Sequence, residues 1–268
     1  SLFNNQNYAG CWLNIVWPFS LAIFFEKTQN LVRKGSSLIF VISISLASFL
    51  TTSRNAWGGL LFTVPLVLGP LSFTWIIPLF SLLAILILLK VFNYFPKNFD
   101  VFLDSILPAK FNIFDAFSPS TYTNQSYNRN TIFLFAISKI IENPIIGWGS
   151  ASFPIFYYLS NDVFIAHAHN LIIDKAFSYG LVVAFITFTN VFLIFINSFK
   201  KIYFSKSPMN HSDIYFERAW CTSFFVLLCS QMFDVQYFDG RISVAFWVLL
   251  SGLRCMFKED PNNTIYTK

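Results

Sequence analysis

The chain has 268 residues, 55% of them hydrophobic and 12% charged, with a formal net charge of +5 and a mean hydropathy of +0.58. An ordinary soluble domain is roughly 25% charged. The apolar residues here come in long uncharged runs, which excludes a soluble globular domain and predicts an all-α, polytopic bundle of transmembrane helices. The basic residues are scattered over connectors, so the positive charge excludes nucleic acid as a partner and leaves the lipid bilayer.

In chain order, a polar stub, SLFNNQNY, stands directly before the first apolar run, with no initiator methionine and no signal peptide. We therefore expect a piece of a longer protein whose earlier spans are missing. Four runs follow, at about 10–25, 37–52, 57–70 and 73–90. Several are shorter than the ~20 residues of a standard span. Residues 91–168 carry Asn, Ser, Tyr, Pro and scattered charge, and are expected to form one large loop. Within it TIFLFAISKIIE (131–142) predicts a helix too short to span, which lies along the interface or braces the loop and stops before Pro144, and IIGWGSASF reads as turn-rich. Three further runs lie at about 170–198, 219–235 and 242–257. The expected organisation is thus spans one to four in 1–90, the loop in 91–169, spans five to seven in 170–257 and a polar tail in 258–268.

Seven spans determine sidedness. Connectors 26–36 and 199–218 share a side with the tail and hold Lys27, Arg33, Lys34, Lys200, Lys201, Lys206 and Arg218. The short connectors opposite hold one arginine each, Arg54 and Arg241. Positive-inside counting puts the basic side in the cytoplasm and the large loop outside. Arg54, Arg129, His167, His169 and Arg241 are then expected on one outer face.

Those five residues are the candidates for chemistry. Arg54 reads either as an arginine snorkelling at the interface or as a phosphate clamp, whose planar fork offers two parallel hydrogen bonds. Arg129 has the same two readings, and stands where a helix dipole already favours an anion. Arg241 follows Asp239-Gly240, so a local pair with Asp239 or Asp234 competes with phosphate binding. His167 and His169 alternate and on an extended segment would point the same way. A neutral imidazole suits removal of a proton from a sugar hydroxyl near pH 7; a structural pair is the plain alternative. A metal site is not expected, because no zinc-type ligand pattern accompanies them. Cys11, Cys221, Cys229 and Cys255 form no CxxC pair and suggest neither disulfides nor a metal. Asn170 reads as the N-cap of the fifth span. Asp174, in its first turn, either orients a histidine or complements the helix dipole.

At His169-Asn170, nine residues, then Gly180, the chain resembles the signature of the O-antigen ligase and O-antigen polymerase superfamily. The last signature position, filled there by Gly, Thr or Tyr, is Val183. SRNAWGGL, the Arg129 helix leading to NPIIGWGSASF, and HAHN occur in the order that family shows. The closing FDGRISVAFWVLLSGL looks most like its cyanobacterial branch. The resemblance implies a GT-C-type, inverting glycosyltransferase without metal or cofactor, in the bacterial inner (plasma) membrane with its catalytic loop facing the periplasm. It would move a glycan from an undecaprenyl-diphosphate carrier to an acceptor glycan, lipid or protein in cell-surface polysaccharide biosynthesis. It further implies that His169 is the base, with His167 beside it, and that Arg54 and Arg129, with Arg241 as a third, bind the diphosphate. Asn170, Asp174 and Gly180 would support them. One branch has been labelled a bicarbonate transporter, so transport is the rival class, and an inactive membrane fragment a third. Transporters carry ionisable residues and inverted repeats near the midplane; the runs here are free of charge except near their ends, and no internal repeat is visible.

Overall fold

The computed structural model describes residues 5–26, 30–91, 129–204 and 214–258. The first 37 or so residues of the expected loop, the middle of the 199–218 connector and the tail lie outside the described residues. Each of the seven apolar runs carries a helix: α1 (Gln6–Phe25), α2 (Leu31–Leu50), α3 (Arg54–Leu68), α4 (Phe73–Val91), α7 (Leu171–Phe204), α8 (Ile214–Ser230) and α9 (Gly240–Lys258). Between α4 and α7 lie α5 (Arg129–Glu142) and α6 (Phe153–Asn161). The described residues contain no strand.

Three helices, α1, α2 and α7, are by themselves long and apolar enough to cross a membrane. With the segment Pro70–Leu79, α3 makes a fourth candidate, bent by 118° at Gly69-Pro70. The chain is therefore a helical membrane protein, and among the described residues three helices, or four with the bent pair, are long and apolar enough to span alone. The 15 residues of α3 rise only about 22 Å at 1.5 Å per residue, short of a hydrocarbon core about 30 Å thick. Large apolar side chains on α2 (Ile39, Phe40, Leu46) and α7 (Val182, Phe185, Ile186) are exposed, as lipid-facing surfaces require.

Two helix starts fall earlier than the apolar runs indicate. Asn30 caps α2, its Oδ1 accepting from Arg33 N at 2.9 Å, so Arg33 and Lys34 belong to a first turn and not to a connector. Likewise Arg218 lies inside α8, its guanidinium turned inward to the Leu68 carbonyl (2.9 Å). The run at 131–142 forms α5. α5 and α6 pack on the first part of α7, burying Ile132, Ala136, Ile140, Phe153, Tyr157 and Phe177 in one cluster. The main core joins α1, α7, α8 and α9 through Cys11, Val191, Phe224, Leu227, Phe246 and Leu253. Cys11 and Cys221 are buried free thiols.

The fifth run, expected to be continuous, is broken at Gly180. Its φ of 84° and ψ of 165° are accessible essentially to glycine alone. Residues 144–149 thread through the break and take up the main-chain groups it frees. Leu181 N donates to Pro144 O (2.7 Å), Trp148 N to Phe177 O (2.9 Å) and Gly149 N to Ser178 O (3.0 Å). In lipid those groups would otherwise cost several kcal/mol each, so the threaded loop is what permits the break. A Cβ on Gly180 would lie 2.0 Å from the Ile145 carbonyl oxygen. This accounts physically for the glycine of the signature: it is a crossing point, not a ligand.

Candidate functional site

The His end of the bundle is assembled from three chain segments. The first is 162–170, leading into α7. Asn170 caps α7 as expected, its Oδ1 accepting from Ile172 N (3.0 Å) and Ile173 N (3.1 Å). Its Nδ2 also donates to Met232 O at 3.1 Å, and Leu171 N donates to Gln231 O at 2.9 Å. The Asn of the signature therefore both starts a helix and ties it to the turn after α8. Such a cap contributes about 1 kcal/mol.

That turn, the second segment, brings in Asp234, which is 4% exposed. The histidines converge on one of its oxygens: His169 Nδ1 lies 3.2 Å and His167 Nε2 3.4 Å from Asp234 Oδ1. Their rings meet edge to face at 4.6 Å. They do share a direction, but not by strand alternation. His169 has φ +53°, a left-handed turn that folds the second imidazole back onto the first.

The main chain selects the tautomer of His167. Its Nδ1 accepts from His169 N at 3.3 Å. A neutral imidazole has one ring lone pair, so the proton resides on Nε2, facing Asp234. Burial pulls the His167 imidazole down to about 4, Asp234 opposing the shift and His169 adding to it, so the ring is neutral near pH 7. Burial alone would raise the Asp234 carboxyl. Hydrogen bonds from His169 and Asn7 and the charges of both histidines outweigh burial and hold it below its ordinary value. The carboxylate then accepts Nδ1–H of His169, which leaves the Nε2 lone pair of that ring available. Its side chain is 27% exposed, whereas that of His167 is 10% exposed.

The third segment is the turn before α3. Ser53 Oγ donates to Asn7 Oδ1 (2.9 Å), and Asn7 Nδ2 donates to Asp234 Oδ2 (3.0 Å). On the other side of Arg54, Asn55 Nδ2 donates to Ser230 Oγ (2.6 Å). Both neighbours of Arg54 are thus hydrogen-bonded into the His end, and Arg54 itself, first residue of α3, is exposed there.

The remaining candidates fall elsewhere. Arg241 forms a fork with Asp239, Nη2 to Oδ2 at 2.6 Å and Nε to Oδ1 at 3.0 Å, the local pair anticipated as one of its two readings. Arg129 opens α5 and is exposed, and no described contact joins it to the histidines. Asp174 is buried one turn into α7 with the Ala168 N–H facing its carboxylate, which suits the dipole reading; no described contact joins it to an imidazole. Asp234, in contrast, was read only as a possible partner of Arg241. The ammonium of Lys175 rests against Tyr237 (4.9 Å), Tyr179 (5.3 Å) and Phe238 (5.6 Å), and the same Phe238 stacks on His167.

An apolar groove of about 470 Å³ runs along α7, lined by Ile172, Ala176, Leu181, Phe188 and Phe192 among others. Its lining runs from Ile172 to Ile196 and includes Leu181, next to the Gly180 break. Neither Arg54 nor Arg129 lines it.

His167, His169 and Asp234 offer three ligand-type atoms within 4.8 Å of one another, close enough to surround a cation. The donor set argues against one. With Nδ1 of His167 accepting from the main chain, Nε2 could bind a metal only if that hydrogen bond were given up or both nitrogens were deprotonated.

Comparison with known proteins agrees with the order of motifs. The family model described as O-Antigen ligase matches residues 11–188, a stretch that includes Arg54, Arg129, both histidines and Gly180 but stops short of Asp234. No curated protein matches the chain.

Proposed function

From the premise that this chain belongs to the O-antigen ligase family, we propose that it transfers a glycan from an undecaprenyl-diphosphate carrier to an acceptor hydroxyl, with His169 as general base. The observation that carries this reading is the Asp234–His169 pair, one ring nitrogen held by a buried carboxylate and the other presented outward. In the step proposed, Nε2 of His169 takes the acceptor proton as the acceptor oxygen bonds to the anomeric carbon. The carbon–oxygen bond to the diphosphate breaks on the opposite face, inverting the centre, and the diphosphate leaves with the bonding pair. Asp234 stabilises the imidazolium that forms. Arg54 and Arg129 are the proposed cations for the leaving group, since charge developing without a metal needs preorganised donors. Arg241 is left out of that clamp because its fork already holds Asp239. The α7 groove suits a polyprenyl chain, being lined almost wholly by apolar side chains. In this reading the His end faces the periplasm of a bacterial inner membrane.

The test is His169→Ala in the full-length protein, following loss of carrier-linked glycan. A general base contributes about 10²–10⁴-fold, so transfer should fall by that factor while membrane insertion persists. Near-normal transfer would remove His169 from the mechanism. The cation reading is separated by chelation. Dialysis against EDTA should leave transfer unchanged, and activity lost to EDTA and restored by a divalent ion would favour a metal on His167, His169 and Asp234.

A further inference from the structure

The polar first turn of α1, ahead of the first apolar run, carries no part of the proposed chemistry, yet it supplies the residue that links the two halves of the site. Asn7 stands in the first turn of α1, 227 residues from Asp234 and 46 from Ser53. Its amide is oriented unambiguously. A carboxylate only accepts, so Nδ2 faces Asp234 Oδ2; Oδ1 is then left for the Ser53 hydroxyl. Its neighbours repeat the pattern. Thr52 Oγ1 donates to Gln6 Oε1 at 3.0 Å, and Tyr8 Oη donates to Val235 O at 3.3 Å. Three consecutive residues, Gln6, Asn7 and Tyr8, thus clamp the turn before Arg54 and the turn carrying Asp234.

We infer that Asn7 is a positioning residue for transfer: its amide holds the Asp234 carboxylate in the orientation that aligns His169, and anchors that carboxylate to the Arg54 turn. Asp234 has two oxygens and three described hydrogen-bond donors. Oδ1 receives His169 and Val235 N (3.1 Å), with His167 Nε2 3.4 Å away, and Oδ2 receives Asn7. Without Asn7 the carboxylate can rotate about its own axis, and the acceptor for His169 Nδ1–H is no longer fixed. Asn7 touches no reacting atom, so it acts on the rate of the chemical step and not on binding of either substrate. The inference rests on His169 being the base.

The experiment compares Asn7→Leu, close in shape but without the amide, in the wild-type and Asp234→Asn backgrounds of the full-length protein in detergent. In the wild-type background kcat should fall about tenfold, the scale of one hydrogen bond to a charged group, with KM for the lipid-linked donor changed less than twofold. In the Asp234→Asn background the same substitution should have no further effect, because its action passes through that carboxylate. A purely structural role would instead lower the yield of folded protein and add independently to Asp234→Asn. If Asn7→Leu does not fold, Ser53→Ala decides. It keeps the Asn7–Asp234 bond but frees the carbonyl side, and should lower kcat two- to fivefold, again only while Asp234 is present. Normal kcat in Asn7→Leu, or in Ser53→Ala where the former is unfolded, together with an inactive His169→Ala, overturns this inference and leaves the base assignment standing. An active His169→Ala overturns both.

Discussion

The two ends of the bundle use their polar side chains differently. At the end where α1, α3, α7 and α9 begin, side chains bond to one another across long separations in sequence: Ser53 to Asn7, Asn7 to Asp234, Asp234 to His169, and Asn55 to Ser230. At the opposite end they terminate on main-chain carbonyls. Arg218 reaches Leu68 O, Tyr203 Leu66 O, Lys201 Met256 O and Ser198 Leu253 O, each within 2.7–2.9 Å. Leu66, Leu68 and Met256 are among the last four carbonyls of α3 and α9, which have no helical partners, and Leu253 lies just before them in α9. A side chain closing a helix end cannot let go without exposing that carbonyl. A carboxylate shared by two imidazoles and an amide can exchange partners during a reaction cycle. The second arrangement is suited to chemistry, the first to closure.

The sharpest division between the ends should come from Asp234→Asn. An amide at this position keeps one acceptor where the carboxylate had two. With its oxygen toward His169 and Val235 N, its NH₂ faces Asn7, whose amide must turn over to accept it and then donates to the Ser53 hydroxyl; with its oxygen toward Asn7, its NH₂ meets the donors His169 and Val235 N. In the first case the His169 bond loses its charged acceptor, and in the second it becomes a repulsion. We expect kcat to fall about 10- to 100-fold, from the worth of a charge-assisted bond, measured as turnover of lipid-linked donor. Activity within twofold of wild type would show that the His end is only another structural cap.

Acid should affect the His end first. Unfolded, His167 titrates near the ordinary imidazole value of about 6.5; folded, burial holds it down to about 4. Between those values the unfolded chain binds the additional proton, so stability rises with pH across the window and is lost as pH falls through it. Asp234, held below its ordinary value, adds a loss in the same direction at still lower pH. The thermal midpoint of detergent-solubilised protein should therefore drop between pH 6.5 and pH 4, and His167→Gln should flatten that slope. An unchanged slope would mean that His167 is not the group titrating.

Which parts of this were legible in the sequence follows from the range of the interactions involved. The helices follow from apolar runs, because burying or lipidating an uncharged stretch needs only its neighbours in sequence. Of the candidates, His167, His169 and the turn carrying Arg54 lie at one end of the bundle, as residues of connectors on one side should. Three features were hidden. α6 follows the turn-rich stretch in a part of the loop for which no element is predicted, although Pro154 at its start is a usable helix-start signal. The break at Gly180 needs residues 144–149 to fill it, a contact between segments 30 residues apart, and a glycine within an apolar run does not announce that. Asp234 is 65 residues from His169, in a turn where Asp239 and Arg241 offered a nearer partner. Its one visible mark was that it is a carboxylate in an otherwise apolar end of α8, with no basic residue beside it.

The smallest effect expected tests the closing end. Tyr203 Oη donates to Leu66 O at 2.8 Å and lies 3.5 Å from Thr222 Oγ1. Tyr203→Phe keeps the ring, its stacking on Phe199 at 4.4 Å and its place near the Arg218 guanidinium, and removes only the hydroxyl. The Leu66 carbonyl, two residues from the end of α3 and four before Pro70, is left without a donor. One neutral hydrogen bond contributes about 0.5–1.5 kcal/mol, so the thermal midpoint should fall by a few degrees at most. Because α3 carries Arg54 at its other end, loosening its C-terminus could in principle reach the clamp. The comparison drawn above says it does not. The N-terminal turn of α3 is held separately by Ser53 and Asn55, and kcat and donor KM of the folded Tyr203→Phe protein should both equal those of wild type. A raised donor KM at unchanged yield would show that the two ends are coupled through α3, and that the helix transmits strain from the closing end to Arg54.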